Sequence, residues 1–188
     1  MSDLPELTQD YIREFVLPSH GNFEKVKQML VADPRLLNTN FEAWDETPLG
    51  AASHVGNVEI AEFLLSQGAP MTICTAAMLG DKVTVEKFID DDPSLVNAKG
   101  AHGITLMFHV ALSGNLEIAD LLVKRGGGTE GISPALIAAT QKNHPKMLQW
   151  LLKRDADITV TNFQGLTPLE IAEQAGHQEI IELLQAAS

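Results

Sequence analysis

The stretch that decides the fold is Asp155-Ala156-Asp157, followed by Gly165-Leu166-Thr167-Pro168-Leu169, Ala172, Gly176-His177 and Leu183-Leu184. An apolar residue after a Thr-Pro start leads into small residues, a glycine turn and a second apolar helix. The same order stands at Thr47-Pro48-Leu49, Ala52, Gly56 and Leu64-Leu65, ending at Gly68-Ala69. Weaker copies bring the turn residues to Gly21, Gly56, Gly80, Gly114, Asn143 and Gly176. A period of about 30 residues built this way is the signature of stacked helix pairs, each too small to bury its own apolar face.

Six helix pairs follow: about 8–17 with 23–32, 48–54 with 58–66, 73–79 with 82–90, 106–112 with 116–124, 134–142 with 145–153, and 168–175 with 178–186. Within the second helices, Val26, Met29 and Leu30, then Ile60, Phe63 and Leu64, then Val85, Phe88 and Ile89 keep helical spacing. The turn glycines supply the positive φ that a tight helix-to-helix turn needs, and Asn143 is the next most tolerant residue for that place.

These motifs resemble the ankyrin repeat family, whose pattern runs Gly-x-Thr-Pro-Leu-His-x-Ala-Ala-x-x-Gly-His before an apolar helix ending Leu-Leu-x-x-Gly-Ala-Asp. The resemblance covers about residues 8–186 and is that of a bacterial-type member with paired repeats. It implies an all-α ankyrin-repeat solenoid with β-hairpin finger loops, in a single domain over 1–188. The histidine after Thr-Pro-Leu is missing throughout; Gly50, Cys74, Phe108, Ile137 and Glu170 stand in its place.

A second-order repeat lies above the first. Asp33-Pro34-Arg35-Leu36-Leu37-Asn38 and Asp92-Pro93-Ser94-Leu95-Val96-Asn97 are near copies two units apart. Long connections at about 38–47, 97–105 and 157–167 alternate with short ones, so three fingers are expected. The first helices of the third and fifth units are then left without the usual neighbouring finger, which makes the recognition surface uneven.

Composition narrows the function. The formal net charge is −12, which disfavours nucleic acid and anionic membranes, since both need basic patches. It suits a basic or neutral protein partner, or solubility alone. Met1 to Phe15 carries no apolar run of a signal peptide, and no stretch has the apolar length of a membrane helix. Cys74 is the only cysteine, so no intrachain disulfide forms. A cytoplasmic monomer is the expectation.

Nothing points to catalysis, and no cofactor, metal site or enzyme activity is expected. The histidines His20, His54, His102, His109, His144 and His177 contain no His-x-x-x-His pair. Gly126-Gly127-Gly128-Thr129-Glu130-Gly131 lacks the Lys-Ser/Thr of a phosphate loop and reads as a linker. Asp90-Asp91-Asp92 lacks the alternation of a calcium loop. Cys74 has no adjacent base and reads as a buried small side chain.

The expected function is therefore non-catalytic protein–protein binding through the concave face and finger tips. The alternatives are a small-molecule or peptide groove in the finger gap, or an enzyme of unrecognised chemistry. Trp44 and Phe163, with Phe41 beside the first, fall in fingers and either pack finger against finger or meet a ligand. By the resemblance, the residues before each turn border the concave groove: His54-Val55, Met78-Leu79, Leu112-Ser113, Gln141-Lys142 and Gln174-Ala175. Phe41, Trp44, His54, Val55, Met78 and Leu79 are the candidate partner-binding residues of the first half. His102, Leu112, Lys142 and Phe163 are those of the second. The apolar pairs are expected to form an exposed strip.

Overall fold

A computed structural model describes residues 4–187. Twelve α-helices pair into six units among the described residues: α1 (Gln9–Val16) with α2 (Phe23–Ala32), α3 (Pro48–His54) with α4 (Val58–Ser66), and α5 (Ile73–Met78) with α6 (Lys82–Asp91). The stack continues with α7 (Leu106–Ser113) and α8 (Leu116–Lys124), α9 (Ile132–Gln141) and α10 (Pro145–Leu152), and α11 (Pro168–Ala175) and α12 (Gln178–Ala186). The architecture is an all-α solenoid of stacked helix pairs.

Capping chemistry alternates with the units. Threonine side chains cap first helices at Thr8, Thr47, Thr72, Thr105 and Thr167. Asn22, Asn57, Asp81 and Asn115 cap second helices. Each such cap satisfies a free N–H of the first turn and contributes about 1 kcal/mol. The second helices α10 and α12 start at His144 and His177 without a side-chain cap, and among first helices the departure is α9, which starts at Gly131 without one. A Cβ there would lie 2.4 Å from Thr105 Oγ1 and 2.8 Å from Met107 Cβ, so the close approach of the fourth and fifth units requires glycine.

The main core is one continuous cluster along the stack. First helices bury alanines (Ala52, Ala76, Ala77, Ala111, Ala138, Ala139 and Ala172), which let neighbouring helices approach. Second helices fill the space behind them with Ile60, Leu64, Val85, Ile89, Ile118, Leu122, Leu148 and Leu151. Helix α5 packs between α3 and α7, and α7 between α5 and α9. Polar side chains at the start of several second helices tie their unit to the one before. Asn57 donates to the His20 carbonyl at 3.5 Å, Asn115 to that of Gly80 at 3.1 Å, and His177 to that of Thr140 at 2.9 Å.

Turn geometry follows the sequence reading at five of the six places: Gly56, Gly80, Gly114, Asn143 and Gly176 have φ between 53° and 74°. Gly21 differs. Its φ of −175° is extended backbone open to any residue, because the first connection runs through a 3₁₀ turn, Pro18–His20. The fingers also differ from the hairpins expected. The first is held by a single bridge, Phe41 to Glu46, and the second by one between Lys99 and Thr105. In the third, Asn162 N–H donates to the Leu166 carbonyl at 2.9 Å. Each finger is a turn closed by one or two hydrogen bonds, too short to make strands.

Candidate functional site

The concave face holds two depressions, each of about 630 Å³, beside the first helices that lack their own finger. One lies over α5 between the first and second fingers, with Ile73, Cys74 and His109 in its wall. The other lies over α9 and reaches the third finger; Val55, Ile104, Phe108, Ile137, Val160 and Phe163 line it. Phe163 stands at its edge with 93% of its surface exposed. An apolar side chain this open, above an apolar groove, is the strongest contact-ready feature of the surface.

The candidate residues divide three ways. His54 and Val55 are half-buried and line the second groove, as does Lys142. Lys142 is already engaged: its Nζ donates to the Gly56 carbonyl at 2.9 Å, strapping the fifth unit to the second, and burial lowers its pKa. Met78 and Leu112 are not part of an exposed strip. They are 2% and 5% exposed, and Leu79 is half-buried against the core. The stacking of α5 and α7 between neighbours on both sides covers these positions, and the strip expectation is corrected accordingly. Phe41 is also buried, 8% exposed, in a small cluster with Ile12, Val16 and Ala51.

Trp44 packs rather than projects. It meets Phe41 edge-on at 4.9 Å between centroids, and the Arg13 guanidinium sits 5.8 Å over its ring. Beneath it lies an arrangement that sequence spacing did not suggest. Glu46, the last finger residue before Thr47, buries its carboxylate completely. Three imidazoles converge on it: His54 Nδ1 at 2.9 Å and His102 Nε2 at 3.3 Å from Oε1, and His20 Nε2 at 3.4 Å from Oε2. The rings of His20 and His102 each stand edge-on to that of His54, at 5.0 and 5.2 Å between centroids. Burial pushes the Glu46 carboxyl up, but His20 and His54 outweigh it and bring it down to about 2. Glu46 in turn raises His20.

The search for histidines one helical turn apart missed this cluster. His20 and His54 instead stand one repeat apart, each just before its unit's turn, and stacking makes such positions neighbours. His102 reaches them from the second finger, where it adopts φ 57°.

His109 occupies the position after the missing family histidine. Its Nδ1 donates to the Thr105 carbonyl at 2.9 Å, and burial depresses its pKa to about 4. Cys74 is buried and its thiol is pushed up to about 11, which keeps it protonated and unreactive near neutral pH. No helix among the described residues is long and apolar enough to cross a membrane.

A stack of helix pairs with an uneven, groove-bearing concave face defines a solenoid binding module. Family models for the ankyrin repeat match residues 44–76, and those for three tandem ankyrin repeats match 73–162 and 133–188. The chain belongs to the ankyrin repeat family and is a protein–protein interaction module. It is 29% identical to cyclin-dependent kinase 4 inhibitor B of Rattus norvegicus, across 66% of this chain and 98% of that protein. It is 26% identical to the nuclear factor NF-kappa-B p105 subunit of Gallus gallus, across 89% of this chain but only 19% of that protein. A putative ankyrin repeat protein of Rickettsia bellii is 36% identical over 36% of this chain and 38% of its own length.

Proposed function

We propose that the module docks one partner protein in the groove over α9, with Phe163 closing on an apolar side chain of that partner. The observation that carries this is the exposed Phe163 at the edge of an apolar groove of about 630 Å³. A rigid stack offers the partner a preformed surface, so docking orders few side chains. The acidic chain, of net charge −12, selects a partner with a basic or neutral rim around its apolar anchor. In this reading the protein is a cytoplasmic, monomeric, non-catalytic scaffold, with no nucleic-acid or membrane partner.

Affinity capture from the native cell tests it with three baits. Loss of an aromatic anchor at an interface centre costs about 2 kcal/mol or more. Phe163→Asp is expected to lose the stoichiometric partner that the unmodified chain retains. Val31→Asp is expected to keep it, because Val31 is 83% exposed on α2, away from the groove. Retention by Phe163→Asp together with loss by Val31→Asp overturns the assignment of the face.

A further inference from the structure

The buried Glu46 has only imidazoles for partners. A carboxylate removed from water needs a cation or several hydrogen bonds. No lysine or arginine pairs with it among the described residues. Both of its oxygens, and His54 Nδ1, are buried without an aligned hydrogen-bond partner. The three imidazole nitrogens are close to it but not in line to donate.

The orientation of His20 sharpens the point. Its Nδ1 lies 3.0 Å from the Leu17 carbonyl, which accepts and therefore fixes the proton on that nitrogen. In the neutral ring the Nε2 lone pair then faces the Glu46 carboxylate, an arrangement that is repulsive unless the ring takes up a second proton or a cation lies between them. A backbone carbonyl holding the far nitrogen of an imidazole is the usual outer support of a metal-binding histidine.

The distances agree with a shared ion. Ligand bonds of about 2.0–2.2 Å in a tetrahedron place the ligand atoms about 3.3–3.6 Å apart. His102 and His20 lie 3.3 and 3.4 Å from the carboxylate oxygens, longer than the roughly 2.7–2.9 Å of a charge-assisted hydrogen bond. His54, at 2.9 Å, needs only a small outward shift. The ligand atoms of His20, Glu46 and His54 all lie within 4.8 Å of one another. His102, whose side chain is 40% exposed, lies 3.3 Å from Oε1 at the mouth but stands outside that group of three, so it must move inward with the finger to ligate the same ion.

We propose that His20, Glu46 and His54, joined by His102 moving in from the second finger, form a binding site for one borderline divalent transition-metal ion of the zinc class. Three imidazoles and one carboxylate suit such an ion better than calcium or magnesium, which take oxygen ligands. With four protein ligands the site is structural. It fastens the first finger and the second finger to the ends of the first two units, and so fixes the edge of the concave face at which His54 also lines the groove.

The test is calorimetric titration of the untagged full chain, first freed of metal with a chelator, with zinc chloride at neutral pH. One ion per chain, a raised melting temperature on loading and no heat with calcium or magnesium chloride are expected. Cobalt(II) chloride should give the intense visible absorption of a tetrahedral nitrogen–oxygen site. Glu46→Gln preserves the shape of the buried side chain, and His102→Ala alters an exposed one, so both should keep the wild-type circular dichroism. Each is expected to weaken zinc binding by more than about 100-fold, beyond the loss that an outer-shell partner causes. The proposal is overturned if the wild-type chain binds no zinc at a 1:1 ratio. It is overturned equally if both folded variants bind as tightly as the wild type.

Discussion

Gly80 and Gly114 occupy equivalent turns in the middle of the stack, with φ of 74° and 68°. Replacing either with alanine places a Cβ in the left-handed region, at a cost of about 1 kcal/mol. Their surroundings differ. At Gly80 the new Cβ meets nothing closer than Ser113 Cβ at 3.6 Å, an ordinary contact. At Gly114 it lies 2.8–3.0 Å from three atoms of the His144 ring. That ring cannot swing away freely, because its Nε2 is 3.1 Å from the Leu112 carbonyl and donates to it. Displacing it sacrifices an inter-unit hydrogen bond of about 1 kcal/mol and adds residual strain. Gly80→Ala is therefore expected to cost about 1 kcal/mol, and Gly114→Ala about 2–3 kcal/mol. Urea denaturation followed by circular dichroism measures both. The double variant Gly114→Ala with His144→Ala should recover about 1 kcal/mol relative to the sum of its single changes, since the clash partner is gone. Equal losses at Gly80 and Gly114, with no coupling to His144, would refute the packing assigned between the turn of the fourth unit and the fifth unit.

Asn143 has φ 53°, so Asn143→Gly is expected to be near neutral and Asn143→Val to lose about 1 kcal/mol or more; equal melting temperatures would contradict this. His109 stays neutral in the fold down to about pH 4, whereas the unfolded chain takes up its proton near 6.5. The fold therefore loses stability as pH falls through that window, by up to about 3 kcal/mol, and His109→Gln should flatten the decline measured by urea melts at pH 7 and 4.5. Ile180 and Leu184 of α12 are buried against the stack, where this helix covers α10. Deleting residues from Gln178 onward should uncover α10 and cause aggregation; a truncated chain that stays monomeric in size-exclusion chromatography with unchanged melting would refute that role.

What was legible in the sequence is what repeats. The helix pairs, the turn at Asn143 and the two first helices without a finger all follow from a short pattern recurring in register. The first turn was not legible because Pro18 diverts the chain into a 3₁₀ turn and relieves Gly21 of positive φ. Met78 and Leu112 read as surface because the resemblance puts the residues before each turn at the groove, without weighing the neighbours stacked on both sides. The Glu46 cluster was hidden for the opposite reason. Its histidines are distant in sequence and lie on two units and a finger, so only the superposition of repeats brings them to one carboxylate. The groove was foreseen as a finger gap, but its strongest anchor, Phe163, gained that standing from its 93% exposure.

Hydrogen–deuterium exchange on the captured complex, compared with the free chain, tests the central claim most directly, because it maps the docked face without altering any residue. The account predicts that binding protects residues 54–55, 104–108 and 160–163 around the groove and leaves the outer helices α2, α4, α6 and α8 unchanged. Protection confined to those outer helices, with the groove exchanging as in the free protein, would contradict it.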